Sequence, residues 1–140
     1  MLLNKINLKD KANTFYLKAI EYEPYNETYH FNYAIFLMKW NRLQEAEWEF
    51  QRAISLNPKN PYSHYNYSCL LNQLEKITEA IVQIRYCLEL DGKNPLFLFL
   101  ASVYHCKGNQ HVKAEKFFQK AKTIVESDEM KSEESLKVSL

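Results

Sequence analysis

The chain has 140 residues, of which 46% are hydrophobic and 25% charged, a balance that suits one globular domain. Its net charge of +1 sets up no bulk field for nucleic acid, and the unpaired spacing of Cys69, Cys87 and Cys106 argues against a disulfide framework or a zinc site. No apolar run reaches the ~18 residues of a membrane span, and the first residues lack a signal-type apolar stretch, so the expectation is a cytoplasmic protein with reduced thiols, no membrane partner and no nucleic-acid partner.

Seven helices are expected in chain order, at about 9–22, 27–40, 43–56, 61–73, 77–90, 95–107 and 111–126. Only Gly92 and Gly108 occur as glycines, which leaves little material for tight β turns. Apolar residues at Tyr33, Leu37 and Trp40, and again from Leu43 through Ala46, Phe50 and Ala53, step by three or four, the period of a helix face. Asn60-Pro61 and Asn94-Pro95 each offer an Asn cap followed by proline at the first helical position. Pro24, Pro58 and Gly92 end the helices before them, and Gly108 is expected in the left-handed conformation that closes its helix. Residues 126–140 hold five acidic side chains and two lysines, so this end is −3 and the rest +4. With only weak apolar spacing at Met130, Leu136, Val138 and Leu140, it is expected to be a frayed helix or a disordered tail.

The chain repeats itself at a fixed interval. Ala12, Ala46, Ala80 and Ala114 form one ladder; Ala19, Ala53, Cys87 and Ala121 form a second; Tyr16, Phe50, Ile84 and Phe118 form a third, and all three keep the same step. Two antiparallel helices pack about 8–10 Å apart, and the close end of that range needs a small residue at the crossing. The alanine ladders supply it on the second helix of each pair, and Ala34, Ser68 and Ala101 on the first. A single pair cannot bury both faces, so stacked pairs are required.

These residues resemble the tetratricopeptide repeat, whose pattern of about 34 residues is an aromatic, a large–small step, an aromatic or Leu, A-x₃-F-x₂-A and a closing Pro. Residues 27–60 match through His30, Tyr33-Ala34, Leu37, Ala46, Phe50, Ala53 and Pro58. Residues 61–94 match through His64, Tyr67-Ser68, Leu71, Ala80, Ile84, Cys87 and Gly92. Residues 95–128 match through Phe97, Leu100-Ala101, Tyr104, Ala114, Phe118 and Ala121, with the first helix read as one residue out of register. Residues 1–26 form a partial repeat that keeps only the second helix, and 129–140 form the acidic tail. The resemblance implies an all-α, right-handed superhelix of antiparallel helix pairs, with a concave groove lined by the first helix of each pair, and it implies partner binding without chemistry.

No phosphate loop, zincin motif or nucleophile elbow is present, and no cofactor or metal is expected. His30 and His64 fall where the repeat pattern expects a packing residue, and two histidines without a nearby carboxylate or Cys make a poor metal site. Cys69 and His64 fall on different faces of a helix, which argues against a nucleophilic dyad. Lys113, Lys116, Lys120 and Lys122 give the last helix a basic face, read as solvated, with contact to the acidic tail or to an acidic partner as the alternative.

The groove implied by the resemblance is lined by Phe31, Ile35, Met38, Tyr62, Tyr65, Asn66 and Cys69, with Leu98 or Phe99 beyond. Family members that hold the acidic C-terminal peptide of Hsp70 or Hsp90 use a Lys–Asn, Asn, Lys–Arg clamp. The matching positions here are Phe31 and Ile35, Asn66, and Leu96 and Leu100, so only Asn66 fits and that peptide is not the expected ligand. The expected function is a non-enzymatic adaptor or scaffold binding an apolar or amphipathic peptide or helix. The alternatives are an accessory segment that recruits an enzyme, and self-association through the N-terminal edge, where Tyr16, Leu17 and Ile20 have an incompletely covered face: either Met1–Ile6 folds back as a stunted cap, or the edge meets another chain, or the chain is part of a longer array.

Overall fold

The computed structural model describes residues 2–138, and among them there are seven helices and no strand. These are α1 (Leu2–Tyr22), α2 (Glu27–Lys39), α3 (Leu43–Leu56), α4 (Pro61–Gln73), α5 (Ile77–Leu90), α6 (Pro95–Lys107) and α7 (His111–Val138). Helices α2 with α3, α4 with α5 and α6 with α7 form three antiparallel pairs, and each pair packs on the next through α3 to α4 and α5 to α6. Helix α1 packs on α2 as a lone second helix. The first helices also meet directly, α2 against α4.

Local chemistry sets the inner boundaries. Asn26, Asn60 and Asn94, each one repeat from the last, accept a hydrogen bond from the backbone N–H two positions on, at 3.1, 3.0 and 3.1 Å. Each pair turns through a left-handed residue: Asn41, Glu75 and Asn109 have φ near 60°. Gly108, expected to take that conformation, has φ −81° and only caps α6. The left-handed step falls one residue later because Asn109 and Gln110 donate back to the Cys106 and His105 carbonyls, at 3.0 and 2.8 Å.

Both ends are longer than expected. Residues 2–8 continue α1 outward, and do not fold back; Met1 lies outside the described residues. Residues 127–138, expected to fray or to be disordered, continue α7, while Leu140 lies outside the described residues. After Gly108 no glycine or proline stops the helix, and Glu126 stands where Pro24, Pro58 and Gly92 stop the others. The pair Lys122–Glu126 at 3.7 Å and the Ser135 hydroxyl donating to the Lys131 carbonyl at 2.8 Å satisfy the extension locally.

The ladders form the core. Ala46, Ala80, Ala53 and Cys87 are fully buried, with Phe50 and Ile84 beside them. Each large apolar side chain so buried stabilises by roughly 1.5–3 kcal/mol, against about 1 kcal/mol for an Asn cap. Stacking therefore dominates, and the asparagine caps decide where α2, α4 and α6 begin.

The third first helix is in register. Helix α4 buries Ser63, His64, Tyr67, Leu70 and Leu71, and α6 buries Phe97, Leu98, Ala101, Tyr104 and His105, the same positions one repeat on. The expected one-residue slip is thus a set of substitutions on an unshifted face. Ala101 occupies the place of Tyr67.

Candidate functional site

The first helices place one aromatic at the same position in every pair: Phe31 on α2, Tyr65 on α4 and Phe99 on α6, each one repeat from the last. Phe31 and Tyr65 are half-buried; Phe31 meets Phe50 edge-on at 6.2 Å, and Tyr65 packs on Phe97 at 5.7 Å. Phe99 is 50% exposed, and Tyr62, whose ring also meets Phe97, is 56% exposed. Leu98, the alternative to Phe99, is core. The repeat period already distinguishes these two in the sequence, once Phe31 and Tyr65 are taken as a ladder.

Ile35 and Met38 are half-buried against the core, so they offer edges and not whole side chains. Asn66, the one residue that matches the clamp pattern, donates one amide N–H to the Tyr62 carbonyl of its own helix at 2.9 Å. Cys69 accepts from the Tyr104 hydroxyl at 3.7 Å. Burial, and then the Cys69 thiol beside it, raise the Tyr65 phenol above its ordinary range. A ligand here meets neutral apolar and phenolic groups. Leu96 is exposed and Leu100 half-buried where a clamp has its Lys and Arg.

His30 and His64 make equivalent contacts in successive repeats. His30 Nδ1 bonds Glu49 at 2.7 Å and its Nε2 meets the Pro24 carbonyl at 2.9 Å. His64 repeats this with Gln83 at 2.8 Å and the Pro58 carbonyl at 2.9 Å. Each buried ring therefore ties the first helix to its partner helix and to the preceding turn. At the third pair Leu98 and Phe117 take these positions and the tie becomes apolar. Among the described residues no group of three or more His, Cys, Asp or Glu is arranged to hold a metal ion. Burial pushes the Cys87 thiol up to about 12, which leaves it protonated. The exposed Cys106 lies 3.9 Å from His111 Nδ1, too far for the short hydrogen bond of an activated nucleophile.

A second repeated node links neighbouring pairs. The Tyr33 hydroxyl donates to Asn13 Oδ1 at 2.9 Å, which also accepts from Arg42 at 2.7 Å. One repeat on, the Tyr67 hydroxyl donates to Glu47 at 3.1 Å, and Lys76 pairs with the same carboxylate at 3.1 Å. At the third junction these three positions hold Ala101, Ile81 and Gln110. The node is gone, and a cavity of about 530 Å³ lined by all three residues stands there between α5, α6 and α7. The basic face expected on α7 divides here: Lys113, Lys116 and Lys120 line this cavity, and Lys122 pairs with Glu126.

Comparison with known proteins agrees with this architecture. Residues 28–60 and 49–82 each match a family model described as tetratricopeptide repeat. No curated protein matches the chain in sequence. Among solved structures, a crystal structure of MamA superposes with a TM-score of 0.82 at 17% identity, covering 90% of this chain and 74% of that one. A MamA fragment from Desulfovibrio magneticus gives a TM-score of 0.78 at 15% identity over 89% of this chain and 71% of that one. PilF of Pseudomonas aeruginosa gives 0.69 at 22% identity over 77% of this chain and half of that one. At these identities the likeness is one of fold. Among the described residues no helix is long and apolar enough to cross a membrane.

Proposed function

We propose a role from one premise, that this chain belongs to the tetratricopeptide-repeat family: it is a non-enzymatic interaction scaffold whose groove receives an apolar or amphipathic protein segment. The observation that carries this reading is the ladder of Phe31, Tyr65 and Phe99 along the first helices, with Tyr62 projecting beside it. Rigid aromatics on a helical platform give large contact area at low entropic cost and favour a helix or extended segment laid across them. The neutral character of Phe31, Ile35, Asn66, Leu96 and Leu100 argues against an Hsp70- or Hsp90-type carboxylate ligand, and three free thiols favour a reducing compartment such as the cytoplasm.

The test is affinity capture with mass spectrometry, comparing the parent with a Phe31→Ala/Tyr65→Ala variant of unchanged helical content. Partners held by the groove should drop out of the variant. Equal recovery of a validated direct partner by both proteins would sink the reading.

Self-association is a second reading with its own observation. Helix α1 has no fully buried residue, and Leu8, Phe15 and Leu17 are exposed along it. Light scattering over a concentration series separates the two, since a monomer at high concentration removes self-association and leaves groove binding intact.

A further inference from the structure

The third junction holds a second, chemically different site. The cavity between α5, α6 and α7 has an apolar floor that includes Ile84, Ala101 and Phe117. Its rim carries Arg85 from α5 and Lys113, Lys116 and Lys120 from α7, all exposed. Among the described residues none of these four cations forms an ion pair. The same four positions one repeat earlier are Gln51, Glu79, Val82 and Tyr86. Four cations thus replace one carboxylate and three neutral side chains at the junction where the aromatic has been deleted.

We propose that this cavity binds an acidic peptide segment of a partner protein, which rests an aromatic side chain on Leu88 and Phe117 and sets carboxylates against the lysines. The anchor is inferred from the half-buried Ile81, Leu88 and Phe117 side chains that line the cavity above the buried Ile84 and Ala101. The carboxylates are inferred from the rim. Lys113, Lys116 and Lys120 lie at i, i+3 and i+7 on one flank of α7 and span about 10 Å at 1.5 Å per residue. Arg85 faces them from α5. One small headgroup cannot reach all four, whereas three or four residues of extended chain span that distance at about 3.3 Å each. Charge-assisted contacts at the edge of a desolvated ring favour this ligand over a neutral one.

The probe is a fluorescein-labelled pentapeptide of two aspartates, a central tryptophan and two glutamates, followed by anisotropy. It should bind the parent, weaken steeply with salt, and bind the serine-centred control at least about tenfold more weakly. Phe117→Ala should weaken it by removing the seat of the anchor, and Lys113→Gln/Lys116→Gln/Lys120→Gln should cost about tenfold or more and flatten the salt dependence. The triple surface variant keeps the question open to refutation even if Phe117→Ala folds poorly. Phe31→Ala/Tyr65→Ala should leave this binding unchanged, which separates it from the groove. The proposal is overturned by absence of binding at millimolar peptide, by equal binding of the serine control, or by insensitivity to both variants. It is also overturned if dodecanoate displaces the peptide at lower concentration than the peptide itself requires, which marks an amphiphile site, or if a rim-dependent doubling of mass shows that a second copy fills the cavity.

Discussion

The junction of α3, α4 and α5 and the junction of α5, α6 and α7 occupy the same place in successive repeats and are built to opposite ends. The first is closed: Tyr67 fills it, and Gln51, Glu47 and Lys76 satisfy its hydroxyl and one another. The second is open, because Ala101, Ile81 and Gln110 stand where that node would be, and Gln110 turns to His105 at 2.8 Å. His105 stacks on Phe117 at 5.2 Å and closes only part of the space. One backbone geometry therefore yields a structural contact or a recess according to three side chains. In a solenoid such a change is cheap to make, because each repeat answers only to its neighbours.

The largest expected effect tests the closed junction. Tyr67→Ala should destabilise by about 3–5 kcal/mol, since it removes a buried ring and leaves the Gln51 amide without its acceptor. Ala101→Tyr should cost less, about 1–3 kcal/mol, by overpacking a fully buried position. Equal losses in the two chemical-denaturation curves would show that the junctions do not differ in packing as described.

The next effect is on pH. Burial pushes the Tyr67 phenol up to about 12, from an ordinary value of 10.0, and Tyr104 moves in the same direction for the same reason. Below pH 10 both states keep the proton and the contribution is complete. Between about pH 10 and 12 the unfolded chain ionises while the fold holds the neutral form, so stability falls as pH rises. Thermal melts across that window should show the decline, and Tyr67→Phe should make it shallower. An unchanged slope in that variant would mean that Tyr67 is not held neutral.

The smallest effect concerns the end of the same ladder. Phe50 is fully buried by the pair that follows it, whereas Phe118, two repeats later, is 42% exposed. Phe118→Ala should therefore change the melting free energy by about 0.5 kcal/mol or less, as an ordinary surface substitution does. A loss comparable with that from a buried aromatic would reveal a covering contact on α7.

Much of the fold was legible because its determinants are local. The starts of α4 and α6 follow from asparagine caps that act over two positions, and α3 and α5 from the helical spacing of Phe50, Ala53 and their counterparts. The candidate groove is half legible: the period aligns Phe31 with Tyr65, but no spacing rule predicts that the Asn66 amide donates to its own helix. The histidines were placed correctly in the core, yet their partners Glu49 and Gln83 lie on another helix, far along the chain.

What the sequence by itself determined is the unit, its length and its stacking, because a fixed period in small and large apolar residues permits one economical way to bury them. Only the tertiary structure decided the register of α6, the closed and open junctions, and the reach of α1 and α7. Those depend on which side chains from different helices share one space, and on whether a neighbour exists to cover a face. Ala101 shows why: in the sequence it passes for the small half of a shifted pair, and only packing shows it to stand at the position Tyr67 holds one repeat earlier.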